Sequence, residues 1–496
     1  MGRFLFVFSS LGVNRGGLTK SVIKRANYLA ENGCQVTIAT YLFQDNYHEV
    51  VAKLRNMGEL SENVEVLNFF DAKIYQKRKN KYLKKVQSLI MSLRDRGGYF
   101  VRRNACSYRF YRKGKYEKYQ EFNRYGRLLF EDYMGDGRHR KRRVSYDTSL
   151  RKRKIVEYDV VSNLPRVEKY FDNLGRCRIY SWVSSDGGRG RTVHFCGRRA
   201  VQYKSLRDFQ REWVYELAKE YDVIVSDSRK VDDLVRGVKY EKLKKIAVLH
   251  NNHFKDPSCS EKGVKAGYHK LFSDDEFDNY VFLTEGQRSD VASNYEIFGK
   301  TLVIPHAIEV SAEDLPISRK KRNEFVMLAR YENQKRIDHA IRAFALVLKA
   351  NSEATLEVYG EGEKKNELEE LISSLGVADN VFLRGYARSP KNILHEAGCL
   401  ILSSEYEGFG LAVGESLACG TPVVAYECKY GPSDMIEDGV NGYLVESGNV
   451  DALSIKIKKI LELPFDDFAA MSENAKISMS SFSKEKFVNS WKRLVY

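Results

Sequence analysis

Two carboxylates with seven residues between them, Glu407 and Glu415, flank a glycine-spaced turn in the run SSEYEGFGLAVGESLACGTPVV from Ser403 to Val424. The apolar run Cys399 to Leu402 predicts a buried strand before the turn, and Leu411 to Ala418 has helical periodicity until Gly420 and Pro422 stop it. A strand that feeds a glycine loop and then a helix puts free backbone N–H groups and the positive end of a helix dipole at the C-terminal edge of a sheet. That is an anion site. The carboxylates fall on the loop and roughly two turns along the helix, a separation that suits grasping separate hydroxyls better than sharing one proton.

A similar turn opens the chain. Arg3 to Ser9 predicts a buried strand, which enters Leu11-Gly-Val-Asn-Arg-Gly16-Gly17-Leu18 and then a helix with Val22, Ala26 and Leu29 on one face. The pair Gly16 and Gly17 lets backbone approach a phosphate or sugar, or makes a tight connection only; the residues alone leave both readings open. Strands at Gln35 to Thr40 and Asn63 to Phe69 continue a βαβ pattern, which resumes at Leu206 with a helix and the strands Asp222 to Ser226, Lys245 to Leu249, Tyr280 to Thr284 and Thr301 to Pro305. His250 follows one of these strands, where open α/β sheets bind ligands. His253, three residues on, is the weaker candidate.

The elements between these two turns are set by composition. The chain has 496 residues, 43% of them hydrophobic, with eight prolines, so it is globular with a sizeable core. Its eight cysteines contain no C-x-x-C pair and read as reduced core residues of a cytosolic protein. The N-terminus lacks the basic region, long apolar core and cleavage site of a signal peptide, and no apolar run long enough to span a bilayer follows. The net charge of +16 is uneven: residues 73–200 carry 35 Lys and Arg against 12 Asp and Glu, a net +23, which leaves 47 against 54, a net −7, for the rest.

That basic segment breaks the α/β pattern. Lys73 to Arg112 reads as basic and partly helical. Beyond it, Phe122-Asn-Arg-Tyr-Gly126-Arg127 and Phe171-Asp-Asn-Leu-Gly175-Arg176 repeat a hairpin signal at a period of 49. The expected fold is therefore α/β with an inserted antiparallel β-rich domain; that its halves are two facing Rossmann-like domains is what a family resemblance of the Glu407 to Val424 stretch implies. Residues 1–72 and 205–308 form the N-terminal domain, and 73–204 the basic insertion, β-rich from about 105. Residues 309–482 form the C-terminal domain, and 483–496 a last helix long enough to cross back to the N-terminal domain, as the family resemblance implies. Two basic runs in the insertion, Arg138 to Arg143 and Arg151 to Lys154, read as loops; Arg140, Lys141, Arg142 and Arg143 are the candidate contacts to an anionic partner.

Glu407-x7-Glu415 followed by Gly420-Thr-Pro-Val-Val424 resembles the signature of the family 4 retaining glycosyltransferases, two-Rossmann-domain (GT-B type) enzymes that use nucleotide-sugar donors. Lys429-Tyr-Gly-Pro-Ser-Asp434 and Asp438-Gly-Val-Asn-Gly442-Tyr-Leu-Val445 are similar to that family's closing motifs. Phe325-Val-Met-Leu-Ala-Arg330-Tyr-Glu-Asn-Gln-Lys335-Arg336 is similar to its basic segment, with Ala329 and Arg336 where glycines are common. The resemblance implies that Arg330 and Lys335 neutralise a leaving diphosphate without a metal. It also implies that Gly16, Gly17, Gly408, Phe409, Gly410 and Leu411 line the donor, that Tyr386 lies by the uracil, that Glu415 holds the ribose hydroxyls, and that Glu407 and His250 position the sugar. Retention then follows front-face attack, with double displacement through Glu407 as runner-up.

With its early β-rich insertion, the chain resembles the Gram-positive branch that glycosylates wall teichoic acid, the poly(glycerol- or ribitol-phosphate) glycosyltransferases. This implies a UDP-glucose or UDP-N-acetylglucosamine donor, no prosthetic group or metal, and an anionic polyol-phosphate acceptor. It further implies a homo-oligomer built through the insertion, a trimer being one arrangement, and a cytoplasmic enzyme in peripheral contact with the anionic inner face of the membrane. Enzymes that add N-acetylglucosamine to serine-rich adhesins are the alternative. A nucleic-acid-binding or assembly protein with degenerate transferase halves is the alternative of another class, but no RNP, KH or zinc pattern supports it.

Overall fold

The computed structural model describes residues 2–13, 16–74, 98–136, 139–257, 259–310 and 316–495. Two parallel sheets and one antiparallel sheet make up the molecule. The first parallel sheet has seven strands in the spatial order Thr301–Val303, Asn279–Phe282, Lys244–Leu249, Val223–Ser226, Arg3–Phe8, Gln35–Thr40 and Val64–Asn68. The second has six: Val381–Gly385, Thr355–Tyr359, Lys321–Leu328, Ala397–Leu402, Val423–Tyr426 and Gly442–Val445. Their central strands are apolar along both faces because helices cover both sides; Phe4, Leu5, Phe6 and Val7 are all fully buried. Each sheet reverses strand order beside its first strand, and ligands bind at such switch points, outside the strands' C-terminal ends.

The last helix, Lys484–Lys492, returns to the first sheet. Phe487, Val488 and Trp491 bury themselves against Phe6, Tyr28 and neighbouring residues of that sheet and its helices.

The insertion is a ten-stranded antiparallel meander in which every strand pairs with its neighbours in sequence, from Gly98–Asn104 to Arg199–Tyr203. Three features correct the sequence reading. First, the sheet begins at Gly98, not near 105, and residues 98–112 are two strands rather than helix. Their aromatics pair across the hairpin, Phe100 with Phe110 at 4.8 Å between ring centroids. The remainder of the expected helical stretch, residues 75–97, lies outside the described residues.

Second, the basic runs are strands rather than loops: Arg140–Tyr146 and Lys152–Tyr158. Carboxylates face these cations in register across the sheet, Arg143 opposite Asp132 and Arg142 opposite Glu157. Arg143 forms a bidentate pair with Asp132 at 2.7 and 2.8 Å and lies 3.9 Å from the centre of the Phe130 ring. Arg142 reaches Glu157 at 3.1 Å, and Arg140 stacks 4.7 Å from the Tyr158 ring centre. Lys141 is exposed.

Third, both expected hairpins are present, and a further one midway divides the period of 49 in two. The turns at Asn123, Asp147 and Asp172 share one geometry, in which the side-chain oxygen accepts from the backbone N–H two and four residues on, at 2.8–3.0 Å. Each turn closes through a left-handed residue, Gly126, Leu150 or Gly175. Leucine at φ +56° in the middle turn hides the shorter repeat, because that region normally calls for glycine. These turns lie at the end of the sheet that meets the first domain, where Arg127 pairs with Glu49 at 2.7 Å and Tyr170 packs on Phe70 at 4.5 Å.

Candidate active site

A cleft of about 410 Å³ opens where the C-terminal edges of the two parallel sheets face each other. One wall carries Gly16, Gly17, His250 and His306; the other carries Arg330, Gln334, Lys335 and the turn from Ser403 to Ala412. Two helices begin here, Gly17–Glu31 and Leu411–Ala418. Neither has a side-chain cap at its N-terminus, so free N–H groups and both positive dipole ends meet the cleft.

The glycine loop is shaped by contact between the walls. A Cβ on Gly408 would lie 2.0 Å from the His250 carbonyl oxygen, so glycine alone permits the approach. Gly410 takes φ +80° and turns the chain into the helix.

Lys335 and Glu407 meet directly: the ammonium lies 2.6 Å from Oε1, with the two side chains 16% and 11% exposed. Ser404 Oγ donates to the same oxygen at 2.7 Å. Around this pair, Ser403 Oγ donates to the carbonyls of Lys335 and Arg336, and Arg336 pairs with Glu405 at 2.8 Å. Arg336 itself takes φ +42°, in the left-handed region that favours glycine. Arg330 is more open, its side chain 60% exposed and paired with Glu332.

Glu415 projects from the Leu411–Ala418 helix outside the cleft lining proper. Its side chain keeps water-accessible surface, while the protein around it raises its carboxyl above the usual range and Lys24 and Lys20, from the facing helix, pull it back down. Tyr386 is 56% exposed and does not line the cleft.

His250 Nε2 is hydrogen-bonded to Asp227 Oδ1 at 2.8 Å, and Asp227 is paired with Arg25 at 2.5 Å. Burial lowers the His250 pKa and the Asp227 bond opposes it; Asp227 is held well below the carboxylate range by Arg25 and His250 despite its burial. His306 stacks on His250 with ring centroids 5.5 Å apart and meets Phe409 edge-on. His253 does not line the cleft: it is 1% exposed and stacks on Tyr430, and burial lowers its pKa to about 4.

Tyr430 and Lys429 form a clasp between the halves, both donating to Asp290 at 2.7 Å. The clasp is tied to the glycine loop, since Glu407 N–H donates to Lys429 O and Tyr430 N–H to Glu407 O, each at 3.0 Å.

Residues 313–478 match the family model of the group 1 glycosyl transferases. The second half of the chain carries a group 1 glycosyl transferase domain. All of Arg330, Lys335, Glu407 and Glu415 lie in this transferase domain, and it supplies one wall of the cleft. The poly(glycerol-phosphate) alpha-glucosyltransferase of Bacillus subtilis is 25% identical over 98% of this chain and 74% of its own. The poly(ribitol-phosphate) alpha-N-acetylglucosaminyltransferase of Staphylococcus aureus is 24% identical over 100% and 99%. Among solved structures, S. aureus TarM in complex with fondaparinux, alpha-GlcNAc-glycerol and UDP superposes with a TM-score of 0.85 at 22% identity over the whole of both chains. The pneumococcal O-GlcNAc transferase GtfA, with UDP and GlcNAc, gives 0.77 at 18% over 100% and 98%. The fold is thus the GT-B arrangement, and the likeness includes the inserted sheet.

Sequence reasoning missed Asp227, His306, Ser404 and the Asp290 clasp. Asp227 and His306 could have been found by the rule that selected His250, since each follows the C-terminal end of a strand of the first sheet. Ser404, two residues past the strand Ala397–Leu402, meets the same rule in the second sheet, whereas the clasp carries no comparable signal. Among the described residues no cluster of three or more His, Cys, Asp or Glu side chains could hold a metal ion, and no helix is long and apolar enough to cross a membrane.

Proposed function

We propose that the protein is a retaining glycosyltransferase that moves glucose or N-acetylglucosamine from a UDP-sugar onto hydroxyls of a poly(polyol-phosphate). The observation that carries this reading is the Lys335–Glu407 pair set between two uncapped helix N-termini. A diphosphate entering the cleft meets the amides near Gly17 and Leu411 and the cations of Arg330 and Lys335. As the bond from the sugar C1 to the phosphate oxygen breaks, charge grows on that oxygen, and these groups stabilise it in place. Glu415 takes the ribose hydroxyls, and Glu407 and His250 position the sugar.

Front-face attack suits this geometry: the acceptor oxygen bonds to C1 on the face the phosphate leaves, and the leaving oxygen takes the acceptor proton. Lys335 and Ser404 hold Glu407 through Oε1, which favours a positioning role for that carboxylate over a nucleophilic one. The polymer is favoured over a serine-rich protein because pairing within the insertion leaves cations over, 12 carboxylates being too few for 35 Lys and Arg. The same surplus would draw the enzyme to the anionic inner face of the cell membrane. Among the described residues Gly98–Asn104 and Arg199–Tyr203 are the edge strands of this sheet, and such edges offer a route to self-association.

The test is a mass-spectrometric screen of UDP-glucose and UDP-N-acetylglucosamine against poly(glycerol phosphate), poly(ribitol phosphate) and a serine-rich peptide. Transfer to a polymer with an α-linked product by NMR is expected. Transfer to the peptide alone would favour the second reading, which the streptococcal GtfA subunits support at 25% identity over 68% of this chain; a β-linked product would end the retaining mechanism.

A further inference from the structure

Beneath His250 the structure buries a chain of charge that nothing above employs. Arg25 and Asp227 form an ion pair at 2.5 Å with side chains 4% and 0% exposed. The guanidinium carbon lies 4.4 Å from the Phe6 ring centre and 4.5 Å from that of Trp491, so the charge sits in the corner between two aromatic rings set nearly perpendicular, at 82°. Trp491 belongs to the last helix, which crosses from the transferase domain to the first sheet.

This arrangement is costly. Isolating an ion pair from water is seldom stabilising compared with apolar residues of the same volume. Arg25 Nε and Trp491 Nε1, buried side by side, also have no hydrogen-bond partner among the described residues. A site shaped for stability alone would hold aliphatic side chains here. What the charge accomplishes is specific: the guanidinium keeps Asp227 ionised, an ionised carboxylate only accepts, and His250 Nε2 at 2.8 Å must therefore carry the proton.

We propose that Arg25, Asp227 and Trp491 are positioning residues that fix His250 in the Nε2–H tautomer, so that its bare Nδ1 serves as an acceptor for a hydroxyl of the donor sugar. The inference rests on the reading of His250 as a donor-sugar contact. The ring stays neutral because burial opposes a proton, the nearby charges of Arg25 and Arg229 do the same, and Asp227 alone favours one. The last helix thereby does more than fasten the two domains together, since its indole is one of the two walls that hold the guanidinium against Asp227.

Histidine-labelled nitrogen NMR on the full-length protein tests the tautomer without reference to activity, with the His250 signal assigned by its loss in His250→Gln. At neutral pH an Nε2–H, Nδ1-bare ring is expected, and Asp227→Asn should convert it to a mixture. A wild-type ring that is protonated on Nδ1 would overturn the proposal. Kinetically, Asp227→Asn should lower kcat on the order of a hundredfold through misplacement of the sugar. Trp491→Leu should lower it on the order of tenfold, and Trp491→Phe, which keeps an aromatic wall, should restore most of it. UDP affinity by calorimetry should stay within about twofold in all three, which also reports that each variant is folded. Full kcat and an unchanged tautomer in Trp491→Leu would remove the last helix from the relay. If the wild-type protein transferred no sugar at all, the transferase reading would fail, and with it the role of Nδ1, whatever the tautomer.

Discussion

The cleft and the inserted sheet are both dense in charge, yet they use it in opposite ways. In the cleft, few ionised groups converge on one volume, so that Lys335, Glu407 and two helix N-termini face the same cavity. In the insertion, cations and carboxylates are laid out in register along strands, Arg143 against Asp132 and Arg142 against Glu157, and much of the charge is spent on holding the sheet together. A hydrophobic core of Val144, Ile155 and Phe171 is small for ten strands, which makes these cross-strand pairs the more important. Charge density alone therefore does not mark a site; convergence does.

The sharpest way to break this comparison is at the point of convergence. Lys335→Ala should lower kcat by on the order of a hundredfold or more with little change in melting temperature, because it removes transition-state charge stabilisation rather than packing. Near-wild-type turnover in a steady-state assay would show that the cleft does not depend on its central cation.

Acid should act on the cleft side next. His253 stacks on Tyr430 across the domain boundary with its pKa lowered from 6.5 to about 4. The unfolded chain takes up a proton near pH 6.5 and the folded one does not, so this stability is fully present above 6.5 and is lost as pH falls toward 4. The loss is about 3 kcal/mol by linkage. Urea melts between pH 7 and 4 should show it, and His253→Phe should flatten that limb.

In the insertion the corresponding loss is structural. Arg143→Ala leaves Asp132, 5% exposed, without its bidentate partner and should cost about 2 kcal/mol, read as a lower denaturant midpoint with UDP-sugar hydrolysis retained. An unchanged midpoint would mean that the register pairs contribute nothing.

The two glutamates of the cleft should separate by about tenfold effects. Glu415→Ala weakens UDP binding in calorimetry, whereas Glu407→Ala slows transfer with less change in UDP affinity. Equal losses of UDP affinity would merge the two roles.

The smallest effect is expected at Lys141. Its removal should change stability by less than about 0.5 kcal/mol but raise the KM for polymer about twofold and lower the salt slope by about one. Identical salt dependence in the variant would place the acceptor track elsewhere on the sheet.

How much of this was legible follows from how local each feature is. Strand, turn and helix at Cys399 to Ala418 could be read directly because glycine, proline and apolar periodicity report backbone state within a few residues. The two outer hairpin turns were legible for the same reason, and the middle one was not, because Leu150 occupies a left-handed position by virtue of its neighbours' hydrogen bonds. The basic runs at 140–143 and 152–154 looked like loops since lysine and arginine carry no strand signal of their own; the carboxylates that make them strands lie ten to fifteen residues away in register.

By itself, then, the sequence determined two α/β halves, a basic β-rich insertion, and the residue types that converge at strand ends. Only the tertiary structure decided that Lys335 is bonded to Glu407, that Asp290 clasps Lys429 and Tyr430, and that Arg25 packs against Phe6 and Trp491. Those contacts join residues 72, about 140 and 466 positions apart. No local propensity reports such a pairing, because it forms only when packing brings the two segments together and excludes the water that would otherwise solvate each charge.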